Sequence, residues 1–186
     1  MRHQASLASS EYLKVGALSV TELEAIMRRG EVPTLAAIVG WEWRGLNTQG
    51  WAKPAGIKKF IKGFFESDAG EVYGYNEPVV QNRLDQPWIA KPSDVNPKRF
   101  GYFLVEPVDP TARDNVYLNS LLLDYGRGGN ARLDPTQTLR DYIVRVNPGS
   151  DELLLGTAYV AVGPARVRVP SSYFVLEKHR PTSYKR

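Results

Sequence analysis

At 186 residues the chain can bury a sizeable core as one domain, and 42% hydrophobic with 24% charged residues is ordinary for a folded protein. A net charge of +4, scattered along the chain, is too weak to argue for a nucleic-acid partner. With no cysteine, disulfides and thiolate chemistry are excluded, and with only His3 and His179 so is a His-rich metal centre. No cofactor is expected. The N-terminal region lacks a signal-peptide apolar run, and no stretch has the length of a membrane-spanning helix, which predicts a soluble, cytoplasmic protein.

Residues 1–18 read as a loose arm. Residues 19–29 read as a helix: Thr21-Glu22-Leu23-Glu24 has the pattern of a capping box, Leu23, Ile26 and Met27 form an apolar stripe, and Gly30 can stop it. Pro33 blocks continuation, so residues 1–33 form an arm and helix ahead of a domain at 34–180, with 181–186 left as a tail. A long aromatic strand is predicted at 34–47. Within 56–66, Ile57, Phe60, Ile61 and Phe64 fall at i, i+3, i+4 and i+7, with Lys58, Lys59 and Lys62 opposite. That spacing predicts an amphipathic helix, placed as a lid over a barrel mouth, whose lysines either keep it soluble or make transient contact with an anionic membrane surface.

Further strands are predicted at 71–81, 100–107, 115–125, 138–146, 153–162, 165–169 and 172–178, with an irregular, proline-punctuated loop at 82–99. The glycine-rich stretch at 124–130 lacks the spacing of a phosphate loop and reads as a hairpin turn. About eight strands joined mostly by short turns predict a mainly β fold, an antiparallel up-and-down β-barrel with an N-terminal helix and a helical lid insert.

Strand alternation puts Trp41 and Trp43 on one face with Val39 and Gly45, either as barrel-floor packing or as a wall of a ligand cavity. Glu42 and Arg44 share the other face, as a solvated pair. Tyr73 and Tyr75 share a face, as do Tyr117, Asn119 and Tyr125. These groups either orient a ligand carbonyl or hydroxyl or sit at the boundary with water. Arg140 and Tyr142 also share a face. No nucleophile elbow or Ser-His-Asp set is assembled.

The segment Gly40-Trp41-Glu42-Trp43-Arg44-Gly45, followed by an insert and a meander, resembles the calycin group: lipocalins, fatty-acid-binding proteins and the GXWXG and nitrobindin-like bacterial barrels. Trp43-Arg44-Gly45 fits the second half of the Gly-x-Trp-x-Gly motif, while Trp41 stands where its leading glycine belongs. The resemblance implies a lumen that binds a hydrophobic small molecule or lipid, with Trp41, Trp43, Phe60 and Phe64 against it. By likeness to fatty-acid-binding proteins, Arg140 and Tyr142 would hold a ligand carboxylate. By likeness to nitrobindin, His179 would be placed to ligate haem. The same cavity would equally serve a cyclase or isomerase acting on a polyketide- or lipid-like substrate. The oligomeric state is left open.

Overall fold

The computed structural model describes residues 7–48, 57–112, 115–162 and 165–186. Three helices come first: α1 (Ser10–Gly16), α2 (Val20–Arg29) and α3 (Leu35–Ile38). Eight strands follow: β1 (Trp41–Asn47), β2 (Lys59–Glu66), β3 (Val72–Pro78), β4 (Phe100–Pro107), β5 (Leu121–Asp124), β6 (Leu139–Arg145), β7 (Leu153–Val162) and β8 (Ala165–Pro181). Each pairs antiparallel with the next, and β8 returns to pair with β1, closing an up-and-down barrel.

The eight strands are not the eight predicted. Of the lid helix expected at 56–66, Gly56 lies outside the described residues and Lys59–Glu66 is strand β2, zipped between β1 and β3. The apolar spacing there has a second solution: Phe60 and Phe64 lie on one face of a strand, Ile61 and Phe65 on the other, and both faces are covered. The three lysines therefore share no exposed face. Lys59 and Lys62 are buried on opposite sides of β2, leaving only Lys58 exposed. In compensation, the two strands predicted at 165–169 and 172–178 are one strand, β8.

Smaller corrections concern the N-terminal half. The arm contains α1, and the capping box of α2 belongs to Ser19, not Thr21. The Ser19 hydroxyl accepts from Glu22 N (3.3 Å), and Glu22 Oε2 accepts from Ser19 N (2.9 Å). The strand predicted at 34–47 starts as α3, and Gly40 turns the chain into β1 with a φ of 75°. Of 115–125, only Leu121–Asp124 is strand.

Two cores lie on the two faces of the wall. Trp43, Phe64, Val72, Phe103, Val105, Leu121, Leu123, Ile143, Leu154, Phe174 and Leu176 form one cluster drawn from all eight strands. Only the barrel interior brings eight strands to one place, so this cluster lines the lumen. Ile38 of α3 joins it at the end where β1 begins. The second cluster sits outside: Tyr12 and Val15 of α1, Leu23, Ile26 and Met27 of α2, and Trp88 of the 79–99 loop pack on Leu46, Tyr142, Val144, Leu155, Tyr159 and Val175.

Glycines make the wall thin where rings cross it. Gly45, Gly74 and Gly156 stand directly across the ladder from Phe60, Phe103 and Phe174, and a Cβ on any of the three would meet its ring at 2.2–2.3 Å. Gly63 is paired in the same way with Tyr75 on the outer side.

Candidate functional site

Inside this aromatic lumen lies a cluster of polar side chains. Lys62 lies between Phe60 and Phe64 on the inward face of β2. Asp141 lies between Leu139 and Ile143 on β6, and Asn76 follows Val72 and Gly74 on β3. Tyr125 continues the inward face of β5 into a short 3-10 turn, which the Asp124 carboxylate caps by accepting from Gly126 N (2.9 Å). The Lys62 and Asp141 side chains are 3% and 5% exposed, with Nζ and Oδ2 at 3.2 Å.

The hydrogen bonds leave little free. Lys62 Nζ donates to Asn76 Oδ1 (2.9 Å) and to the Tyr125 hydroxyl oxygen (2.5 Å), and its remaining hydrogen faces Asp141 Oδ2 across the ion pair. Those three acceptors match the three hydrogens of an ammonium. The Tyr125 hydroxyl donates to Asp141 Oδ2 (3.0 Å) and accepts from Asn76 Nδ2 (3.3 Å), which also donates to Gly101 O (2.9 Å). The rings of Phe103, Tyr125, Phe174 and Phe60 surround the ammonium at 4.8–5.7 Å. Among the described residues, two buried lumen atoms have no hydrogen-bond partner: Asp141 Oδ1, an acceptor, and Trp43 Nε1, a donor.

Burial pushes the Lys62 pKa down and the Asp141 pKa up, and their mutual attraction opposes both shifts. Burial, then the Asp141 charge, raises the Tyr125 hydroxyl well above its ordinary value. The arrangement can hold a polar group, and Tyr125 links lysine to carboxylate as a path for a proton.

The residues expected from sequence divide between the two faces. Trp43, Phe60 and Phe64 face the lumen, and Trp41 lies at its rim with the Lys178 ammonium 4.6 Å above its ring. The other six are outside. The Tyr75 hydroxyl donates to Glu42 (2.9 Å), Tyr73 bonds Glu71, and Tyr117 donates to Glu24 of α2 (2.8 Å). Asn119 Nδ2 donates to the Met27 and Gly30 carbonyls at the end of α2. Tyr142 bonds Asn115, and Arg140 pairs with Asp124 at 3.0 Å. The expected Arg140–Tyr142 clamp thus faces away from the lumen, because period two turns Leu139, Asp141 and Ile143 inward instead. His179 also faces outward, where its Nδ1 accepts from Arg44 (3.0 Å).

Lys62, Asp141 and Asn76 were missed. The signal for Lys62 was the alternation Phe60-x-Lys62-x-Phe64, which on a strand puts the lysine among rings. Glu42 and Arg44, expected as a solvated pair, are 3% and 2% exposed on the outer wall. Glu42 binds Arg180 (2.5 Å), Arg44 binds Glu177 (3.2 Å), and Glu77 binds Arg99 (3.1 Å). Burial, with Glu42 close by, pushes Glu77 up to about 8. This outer network ties β1, β3 and β8 to the 79–99 loop and is bound up within itself.

A surface groove of about 430 Å³ runs along Phe65 to Asp68 and Thr182 to Lys185. It collects no buried titratable group, so the lumen is the better site. No known protein family matches the sequence, and no curated protein is similar to it.

Proposed function

We propose that the barrel binds a small, largely apolar molecule in its lumen, with the ligand's polar group at the Lys62–Asp141–Tyr125–Asn76 cluster and its apolar part among the rings of Phe60, Phe103 and Phe174. One observation carries this reading: a fully buried ion pair inside an aromatic lumen, with one carboxylate oxygen left unbonded. A wall built for stability alone is at least as well served by apolar residues, since burying two charges costs as much as their attraction returns. The up-and-down closure of β8 on β1 also fits the calycin-like reading. The rings of Trp43, Phe64 and Phe103 meet edge to face within the lumen, which favours a compact ligand over a long chain threading the barrel.

The test is to identify what the protein carries. Native mass spectrometry, followed by extraction of the denatured protein, should recover one apolar small molecule in stoichiometric amount. Titration of the stripped protein with that molecule should change tryptophan fluorescence. Recovery of nothing, together with an unchanged spectrum across a panel of apolar probes, would defeat the reading. A second reading, a cyclase or isomerase, is favoured by the path Lys62–Tyr125–Asp141, in which Asp141 would take a proton from a bound substrate.

A further inference from the structure

Resting on the lumen-binding reading, we propose that the ligand's polar group is a neutral hydrogen-bond donor, a hydroxyl or an N–H, bound by Asp141 Oδ1, and that the site turns carboxylates away. The hydrogen-bond inventory leads there. Each hydrogen of the Lys62 ammonium has an acceptor at 2.5–3.2 Å, and the Tyr125 hydrogen is on Asp141 Oδ2. Both Asn76 Nδ2 hydrogens are also placed, on Gly101 O and the Tyr125 oxygen. The cluster therefore has no donor left for a ligand acceptor. What remains is one acceptor, Asp141 Oδ1, wholly buried and without a partner among the described residues.

Charge narrows the class further. Lys62 and Asp141 sum to zero, so a ligand cation or anion would arrive as an unbalanced buried charge. A carboxylate would also meet Asp141 directly, and Arg140, the nearest sequence candidate to receive it, points outward onto Asp124. A neutral hydroxyl gives its hydrogen to Oδ1 and brings no unbalanced charge. The aromatic surroundings of the cluster suit a flat hydrophobic body behind that hydroxyl, as in a phenol or a polycyclic alcohol.

The experiment compares three probes of one shape on the wild-type protein at neutral pH by calorimetry: 2-naphthol, 2-methoxynaphthalene and 2-naphthoate. A hydrogen bond to a buried charged acceptor is worth about tenfold or more in affinity. Naphthol should therefore bind at least about tenfold tighter than the ether, and naphthoate weakest of the three. In the Lys62→Met/Asp141→Leu double variant, checked for folding by circular dichroism, the ether should still bind and the naphthol preference should fall to near unity. Ether or naphthoate binding wild type as tightly as naphthol overturns the donor assignment, as does a naphthol preference that survives in the folded double variant. Should that variant not fold, the wild-type ranking alone decides. If none of the three binds, the lumen-binding reading itself fails, and the donor assignment falls with it.

Discussion

His179 and Lys62 show how far a single side chain's role depends on which face of the wall it occupies. His179 sits outside, its Nδ1 filled by an Arg44 hydrogen and Arg180 close by, and burial with those two cations pushes its pKa from 6.5 down to about 3. Between those values the unfolded chain takes up a proton that the folded chain refuses. Stability is therefore present above about pH 6.5 and is lost as pH falls toward 3. Chemical denaturation at pH 7 and pH 4 should show His179→Gln losing less stability over that interval than wild type. Equal losses would mean that His179 protonates freely in the folded state. Neither face was legible from sequence at this scale. Arg140 and Asp141 are neighbours on β6, and alternation says only that they point opposite ways. The usual arbiter, one apolar and one polar face, is missing because helices cover the outer wall. Tyr142 and Val144 are as buried outside as Ile143 is inside.

The same double burial explains which elements were legible. The predicted bounds of β4 and β7 match the structure, because turn signals flank each of them. The β2 segment has apolar residues on both faces, so its pattern fits a helix as well as a strand. Between the two strands predicted at 165–169 and 172–178 stands Pro170, which lacks an N–H for the ladder. The strand runs through it where the register against β7 shifts between Thr157 and Tyr159, an irregularity that tolerates the missing donor. The stretch predicted as irregular, 82–99, is irregular, and the loop begins three residues earlier because β3 ends at Pro78; its role as a clasp has no sequence signal. Trp88 at its centre is 1% exposed, donates from Nε1 to Gly45 O (3.1 Å) and packs edge-on to Tyr12 of α1. The Lys59 ammonium lies 3.7 Å over the Trp88 ring and donates to the carbonyls of Arg83, Gln86 and Pro87 and to Asn82. Trp88→Ala should therefore cost about 3–5 kcal/mol, the range for a large buried ring. Amide exchange should rise first in the 79–99 loop and α1. A loss below 1 kcal/mol would show that the loop merely rests on the barrel.

At the scale of the whole molecule, the barrel was predictable because strand count and turn spacing survived two compensating errors, a strand read as a helix and one strand read as two. What covers the barrel was not predictable, and it bears on stability. α1 and α2 bring five buried apolar side chains, Tyr12, Val15, Leu23, Ile26 and Met27, onto the outer wall. Two tyrosines bind the helix more specifically: the hydroxyls of Tyr117 and Tyr173 both donate to Glu24, at 2.8 and 2.5 Å. Each apolar side chain fully buried stabilises by about 1.5–3 kcal/mol, so these five together rival the whole net stability of an ordinary domain. A chain lacking residues 1–30 should therefore close its ladder poorly. It should expose Tyr142, Val144, Leu155 and Val175, bind the apolar dye ANS strongly and associate, with strand content partly kept. Glu24→Gln in the full chain separates the polar tie from the apolar cover. It keeps the packing and weakens two charge-assisted hydrogen bonds, so it should lower the melting temperature by a few degrees and leave ANS binding unchanged. A truncated chain that stays monomeric, dark to ANS and as heat-stable as the full protein would show that the lumen core alone carries the fold.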